Sequence, residues 1–182
     1  MTVDLLALIG SPTAGGRTDA AAAAVLAGAR AAGARVRTIA LGERPPPEQV
    51  QAAMDAADGV LFASPTYRAR SSGLIKGVLE NTPRGAAGET GAPLLGTAAA
   101  IVHTGASAHH FLAVDDLRAV LAGFFAAQVL SPGLYLEAPH FDDTGALTGA
   151  ARDLAAAHGR AFAEFTAAVR GAPAVVALLP LL

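Results

Sequence analysis

Cysteine is absent from the 182 residues. That excludes disulfides, thiolate nucleophiles and cysteine-ligated zinc or iron–sulfur sites. Charge is sparse, with 15 % charged residues, a formal net charge of -2 and no basic cluster, a balance that argues against nucleic acid as a partner. No apolar stretch runs unbroken for the roughly 18 residues of a membrane-spanning helix, and residues 1–4 lack the basic start of a secretory leader. The expectation is a cytoplasmic protein with no membrane segment. Aromatic residues are few at 5 %, and the heavy use of Ala and Gly reads as a coding bias. The length suits one domain with a sizeable core, taken as residues 1–171, followed by an apolar tail over 172–182.

Against that background the loop Gly10-Ser11-Pro12-Thr13-Ala14-Gly15-Gly16-Arg17-Thr18 stands out. It follows an apolar run over 3–9, with the composition of a buried parallel strand, and opens an Ala-rich helix over 19–32. A loop at a strand's C-terminal end that starts a helix presents unpaired N–H groups and a positive dipole end to an anion. Ser11 and Thr18 offer hydroxyls, Arg17 a charged fork, and Gly16 and its neighbours close backbone approach, so the loop reads as a phosphate cradle. It is neither of two familiar phosphate motifs. The glycine spacing is wrong for a Walker A loop, with Arg17 where Lys belongs, and G-x-G-x-x-G is missing.

Downstream, strands are expected over 35–41, 59–63 and 97–102, with a final one made of 128–130 and 133–136, the first of these at or near a sheet edge. Helices are expected over 48–57, 73–80, 109–125 and 147–169, with Leu117, Leu121 and Phe124 on one stripe of the third. Strict alternation of strand and helix implies one parallel sheet covered on both faces, with ligands bound beyond the strand C-termini. The loops 10–18, 64–72 and 103–109 leave those ends, and all three are rich in Gly, Ser, Thr or Pro. No metal site follows from His109-His110, because adjacent helical residues point apart and no third ligand is placed by spacing. A serine hydrolase is disfavoured, since Gly105-Ala106-Ser107-Ala108-His109 lacks the second glycine of a nucleophile elbow.

The segment from Pro65 to Glu80 resembles, without a gap, the P-x-Y-x-x-x-x-S-G-x-L-K-x-x-L-[DE] stretch of the NADPH-dependent FMN reductase family, with Ile75 in place of the usual Leu. Gly10-Ser11-Pro12 with Arg17-Thr18 resembles that family's flavin-phosphate loop, in which some members carry a further Arg where this chain has Thr13. Thr104-Gly105-Ala106-Ser107-Ala108-His109 and Leu112-Ala113-Val114-Asp115 are similar to segments of the flavin reductases that serve sulfonate monooxygenases. Those enzymes can carry one more residue just after that Asp, which distorts the helix; this chain has none there.

The resemblance, over roughly residues 3–136, implies a flavodoxin-like fold, a doubly wound five-stranded parallel sheet of order 2-1-3-4-5. It implies FMN as cofactor and NADPH or NADH as co-substrate. Ser11, Gly16, Arg17 and Thr18 would take the phosphate, while Pro65, Thr66, Tyr67 and Arg68 would flank the ring and ribityl chain. Thr104, Gly105, Ala106 and Ser107 would hold the far edge of the ring, with His109 beside it. No side chain is expected to act as catalytic acid or base. Small-molecule acceptors, a flavin-dependent monooxygenase as partner and a homodimer or homotetramer complete the expectation. The tail would pack on its own subunit or on a partner. A non-enzymatic electron carrier of flavodoxin type is the alternative, although such carriers gain from a strongly acidic face. A P-loop-like nucleotide binder is a third, weakened by the loop spacing.

Overall fold

The computed structural model describes residues 2–86 and 88–179. Its spine is five positions of parallel sheet. Strand β1 (Asp4–Ile9) lies between edge strand β2 (Arg35–Ala40) and β3 (Gly59–Tyr67), and β3 pairs on its other side with β5 (Ala98–Thr104). The last position is filled by two short strands, β6 (Gln128–Val129) and β7 (Leu134–Leu136), both parallel to β5. The two runs expected to form one final strand, 128–130 and 133–136, are thus two strands: the Leu130 N–H still donates to the Ala99 carbonyl at 2.8 Å, and residues 131–133 leave the ladder between them. With those two counted as one, the order is the expected 2-1-3-4-5.

Alternation along β1 shows why both faces need cover. Leu5, Ala7 and Ile9 enter one core, with helices α1 (Arg17–Ala31) and α5 (Gly149–Arg170); Leu6 and Leu8 enter the other, with α2 (Pro47–Asp55), α3 (Gly73–Glu80) and α4 (Ala113–Ala119). The Ala and Gly content has a structural use here. A Cβ on Gly28 would lie 1.9 Å from the Ala156 carbonyl oxygen, and one on Gly159 1.8 Å from that of Val25, so α1 and α5 cross at near backbone contact. Ala98, Ala99 and Ala100 are fully buried in the central strand β5.

Two further departures bear on the site. Strand β3 does not stop at Ala63 but runs to Tyr67 and turns back as the two-residue antiparallel strand β4 (Arg70–Ser71), pairing Thr66 with Ser71 and Tyr67 with Arg70. The helix expected over 109–125 begins with a 3-10 turn (Ala108–His110), continues as α4 and closes in a π-turn at Val120–Phe124. That turn takes up one extra residue, so the buried stripe passes from Leu117 and Leu121 to Phe125 (2 % exposed), while Phe124 is 48 % exposed. The helix is thus distorted although no residue is inserted directly after Asp115. In the tail, the short helix α6 (Pro173–Val176) sets Val176 against the core, and Leu178 and Leu179 are exposed. Residues 180–182 of that tail lie outside the described residues. No described helix is long and apolar enough to cross a membrane.

Candidate functional site

The three loops singled out in the sequence leave the C-terminal ends of adjacent strands. In register, Ile9 of β1 stands beside Ala63 of β3, and Pro65 beside Thr104 of β5. Side chains and backbone then tie the loops to one another. The Gly10 N–H donates to the Ala63 carbonyl at 2.8 Å, and the Thr18 and Thr104 hydroxyls share a buried hydrogen bond of 2.7 Å. Gly10 also lets α3 close in, since a Cβ there would meet Ile75 Cγ1 at 2.5 Å and Ser72 Oγ at 2.8 Å.

In the first loop Gly15 adopts φ +75°, a conformation L-residues avoid, and hands the chain to Gly16, which caps α1 without any side-chain hydrogen bond. The first-turn N–H groups of α1 therefore have no side-chain cap to satisfy them. Arg17 is exposed and makes no ion pair among the described residues; its guanidinium lies over the Phe141 ring, 5.4 Å from the centroid. Ser11 Oγ donates to the Thr13 carbonyl at 2.7 Å. Thr18 offers a ligand only its N–H, because its hydroxyl faces inward to Thr104. An uncapped helix start beside a cation with no ion pair among the described residues has the N–H groups and the positive charge to receive an anion, with the first-turn Asp19 as the opposing charge.

The second loop is a hairpin. Its central residues Arg68 and Ala69 both have positive φ, 51° and 61°, the pattern of a type I′ turn made without glycine or asparagine. Pro65 and Thr66 are half-buried, whereas Tyr67 is 51 % exposed and caps no core. Arg68 is exposed without an ion pair among the described residues, but Arg70 pairs with Asp116 of α4. At the hairpin's base, Ser64 Oγ accepts from the Ser72 N–H at 2.9 Å.

In the third loop the Gly105 N–H donates to the Leu136 carbonyl at 2.9 Å. Tyr135 of β7 donates its hydroxyl to the Ser107 carbonyl at 2.8 Å and stands where a Gly105 side chain would go, 1.9 Å from a Cβ built there. Burial raises the Tyr135 phenol above its ordinary range, so it stays protonated and a donor. Ala106 and His109 are exposed, and the Ser107 hydroxyl lies 3.4 Å from His109 Nδ1. The described residues contain no cluster of three or more His, Asp or Glu able to hold a metal.

His103 and Tyr135 were not legible as site residues. His103, the sixth residue of β5, is wholly buried between Thr66 and Ser71, and burial pushes its imidazole down to about 4. The only sequence signal is a histidine closing an apolar run, which a strand end also explains. Tyr135 carries no signal beyond strand propensity.

Sheet order, strand-end loops and the uncapped helix start together define a flavodoxin-like α/β protein. The sequence profile described as NADPH-dependent FMN reductase matches residues 3–141. The chain belongs to that family and is thereby a flavin-dependent oxidoreductase. No curated protein matches the sequence. Among solved structures it is similar to an NADH:FMN oxidoreductase in its apo form (22 % identity, 90 % of each chain covered, TM-score 0.75). It is also similar to an oxidoreductase from Corynebacterium diphtheriae (23 %, 92 % of this chain and 98 % of that one, TM-score 0.70). A flavodoxin, WrbA-like protein from Agrobacterium tumefaciens matches at 20 % identity, with 92 % and 99 % covered and a TM-score of 0.72. At such identities these likenesses speak to the fold.

Proposed function

We propose that the protein is an NAD(P)H:FMN oxidoreductase that passes reducing equivalents to free flavin or a small quinone-like acceptor. The observation that carries this reading is the joining of three loops at the C-terminal ends of adjacent strands, the first with an uncapped helix start and the others with backbone donors. The residues present fit FMN. The α1 N–H groups and the Arg17 guanidinium would hold its phosphate, with Ser11 contributing once its hydroxyl leaves the Thr13 carbonyl. The backbone of residues 65–68 and of 104–107 would border the ring, and the small Gly105 and Ala106 would leave room beside it for a nicotinamide.

FMN, when bound, supplies the hydride chemistry, accepting from NAD(P)H and giving to the acceptor. The chain's own part is to bind and orient. The backbone N–H groups of Ala106 and Ser107 would face the edge of the ring where negative charge develops, the Gly105 N–H being held by the Leu136 carbonyl, and the Tyr135 hydroxyl keeps that loop in place through Ser107. No side-chain acid or base is needed. A flavin-dependent monooxygenase is proposed as a consumer of the reduced flavin, and a dimer or tetramer as the working assembly.

The test is steady oxidation of NADPH and of NADH by the purified protein, with and without FMN. Turnover that depends on FMN supports the enzyme. FMN binding with no turnover of either nucleotide points to the electron carrier instead.

A further inference from the structure

We propose that His103 is a positioning residue for this site: wholly buried, it grips both arms of the β3–β4 hairpin through its two ring nitrogens and so fixes the backbone that borders the flavin ring. The inference rests on the flavin reading above and adds to it a residue that touches no cofactor itself.

The hairpin has reason to need such a grip. Its two central residues, Arg68 and Ala69, sit in the left-handed region without being glycine or asparagine, at a cost on the order of 1 kcal/mol each. Its return strand is only two residues long. A turn of that kind persists where its surroundings over-determine it. Beyond the Ser64–Ser72 hydrogen bond at its base, side chains do so at two points. The Arg70–Asp116 ion pair holds the outer arm to α4, but it is exposed and contributes little.

The inner attachment is His103. Its Nδ1 lies 3.0 Å from Thr66 Oγ1 and its Nε2 3.1 Å from Ser71 Oγ, and Thr66 and Ser71 are the residues paired across the hairpin. A neutral imidazole has one N–H and one lone pair. It therefore donates to one hydroxyl and accepts from the other, so both arms are held by a single planar group. Burial holds His103 near 4, so the ring is neutral at physiological pH and keeps one donor and one acceptor nitrogen. No charged neighbour contributes to its shift, and the groups around it are the Thr66 and Ser71 hydroxyls and, on the flanking strands, Ser64 and Tyr135.

Two readouts on the full chain test this: FMN affinity from quenching of its fluorescence, and the rate of trypsin cleavage after Arg68 and Arg70 relative to cleavage after Arg160 in α5. His103→Leu should speed hairpin cleavage and weaken FMN binding, each about tenfold, the scale of one or two lost hydrogen bonds. His103→Gln, which is neutral and offers an NH2 donor group and a carbonyl acceptor, should restore most of both. Thr66→Val should add little to the effect of His103→Leu, because the two act through one contact. If His103→Leu does not fold, Ser71→Ala removes a single partner and should show the same direction in both readouts. Unchanged cleavage and unchanged affinity in His103→Leu, or in Ser71→Ala where the former does not fold, overturn the inference. Should the unmutated protein fail to bind FMN, the flavin reading falls, and cleavage alone decides: acceleration in His103→Leu keeps the grip on the hairpin, and an unaltered rate removes it.

Discussion

Gly105 and Tyr135 fit against each other with no space for a methyl group: a Cβ on Gly105 would lie 1.9 Å from the Tyr135 hydroxyl and 2.7 Å from Cζ. The phenol is not free to swing away, since its hydroxyl donates to the Ser107 carbonyl two residues further along the same loop. Gly105→Ala should therefore destabilise the protein by about 1–3 kcal/mol, the scale of overpacking. Tyr135→Phe removes the nearest atom, so the double substitution should cost less than the sum of the two single ones. Urea unfolding of the four proteins checks this, and strict additivity would contradict it.

Arg17 is the exposed cation beside the open start of α1, held over Phe141 and by no carboxylate among the described residues. A charged hydrogen bond contributes about 1.5–3 kcal/mol, so Arg17→Ala should weaken FMN binding roughly 10- to 150-fold. Titration of FMN fluorescence reads the difference directly. An unaltered dissociation constant would remove Arg17 from the site.

Helix α1 crosses α5 where Gly159 faces Val25. Replacing Gly159 with Ala gains about 1 kcal/mol of helix propensity. It also drives a methyl group to 1.8 Å from a backbone oxygen, 2.7 Å from the Val25 carbonyl carbon and 2.9 Å from the Ala29 nitrogen. Backbone atoms on a packed helix cannot yield as a side-chain tip can, so the clash wins. The expected net loss is about 2 kcal/mol, a fall of roughly 4–8 °C in thermal midpoint for a chain of this size. A midpoint that rises would show that the helices part easily.

Ala69 offers the opposite case. At φ 61° it occupies a region that glycine enters without penalty. Ala69→Gly should stabilise the protein by several tenths of a kcal/mol to about 1 kcal/mol, measured as a higher urea midpoint.

How much of this was open to sequence reading follows the physics of each element. The strand, loop and helix over residues 3–32 were legible because a continuous apolar run, a glycine-rich turn and an Ala-rich stretch each carry a local signal. The sheet order followed from alternation and from the family resemblance. The hairpin return at Arg70–Ser71 was not legible, since its turn, Arg68–Ala69, lacks the Asn or Gly that marks a two-residue connection. Nor was the π-turn at Val120–Phe124: helical spacing placed Phe124 inward, and only packing reveals that Phe125 takes that position. His103 was hidden for a related reason. Its partners, Thr66 and Ser71, lie 37 and 32 residues away along the chain, and nothing local announces them.

The same histidine gives the protein a defined response to acid. Unfolded, its imidazole titrates near 6.5; folded, burial holds it to about 4. Above 6.5 both states are neutral and stability does not depend on it. As the pH falls from 6.5 towards 4, the unfolded chain takes up a proton that the folded one refuses, and stability drops by about 3 kcal/mol in total. His158, also lowered by burial, acts in the same direction. Urea midpoints between pH 7 and pH 4 should fall for the natural protein and fall less for His103→Gln. Parallel curves would contradict the assignment.

The central claim is that the ends of β1, β3 and β5 build one flavin site. Titrating FMN with freshly purified protein and following its fluorescence tests this most directly. Saturable quenching with one flavin per chain, weakened by substitutions in each of the three loops, is the expected result. Fluorescence that stays unquenched through a large excess of protein would contradict it.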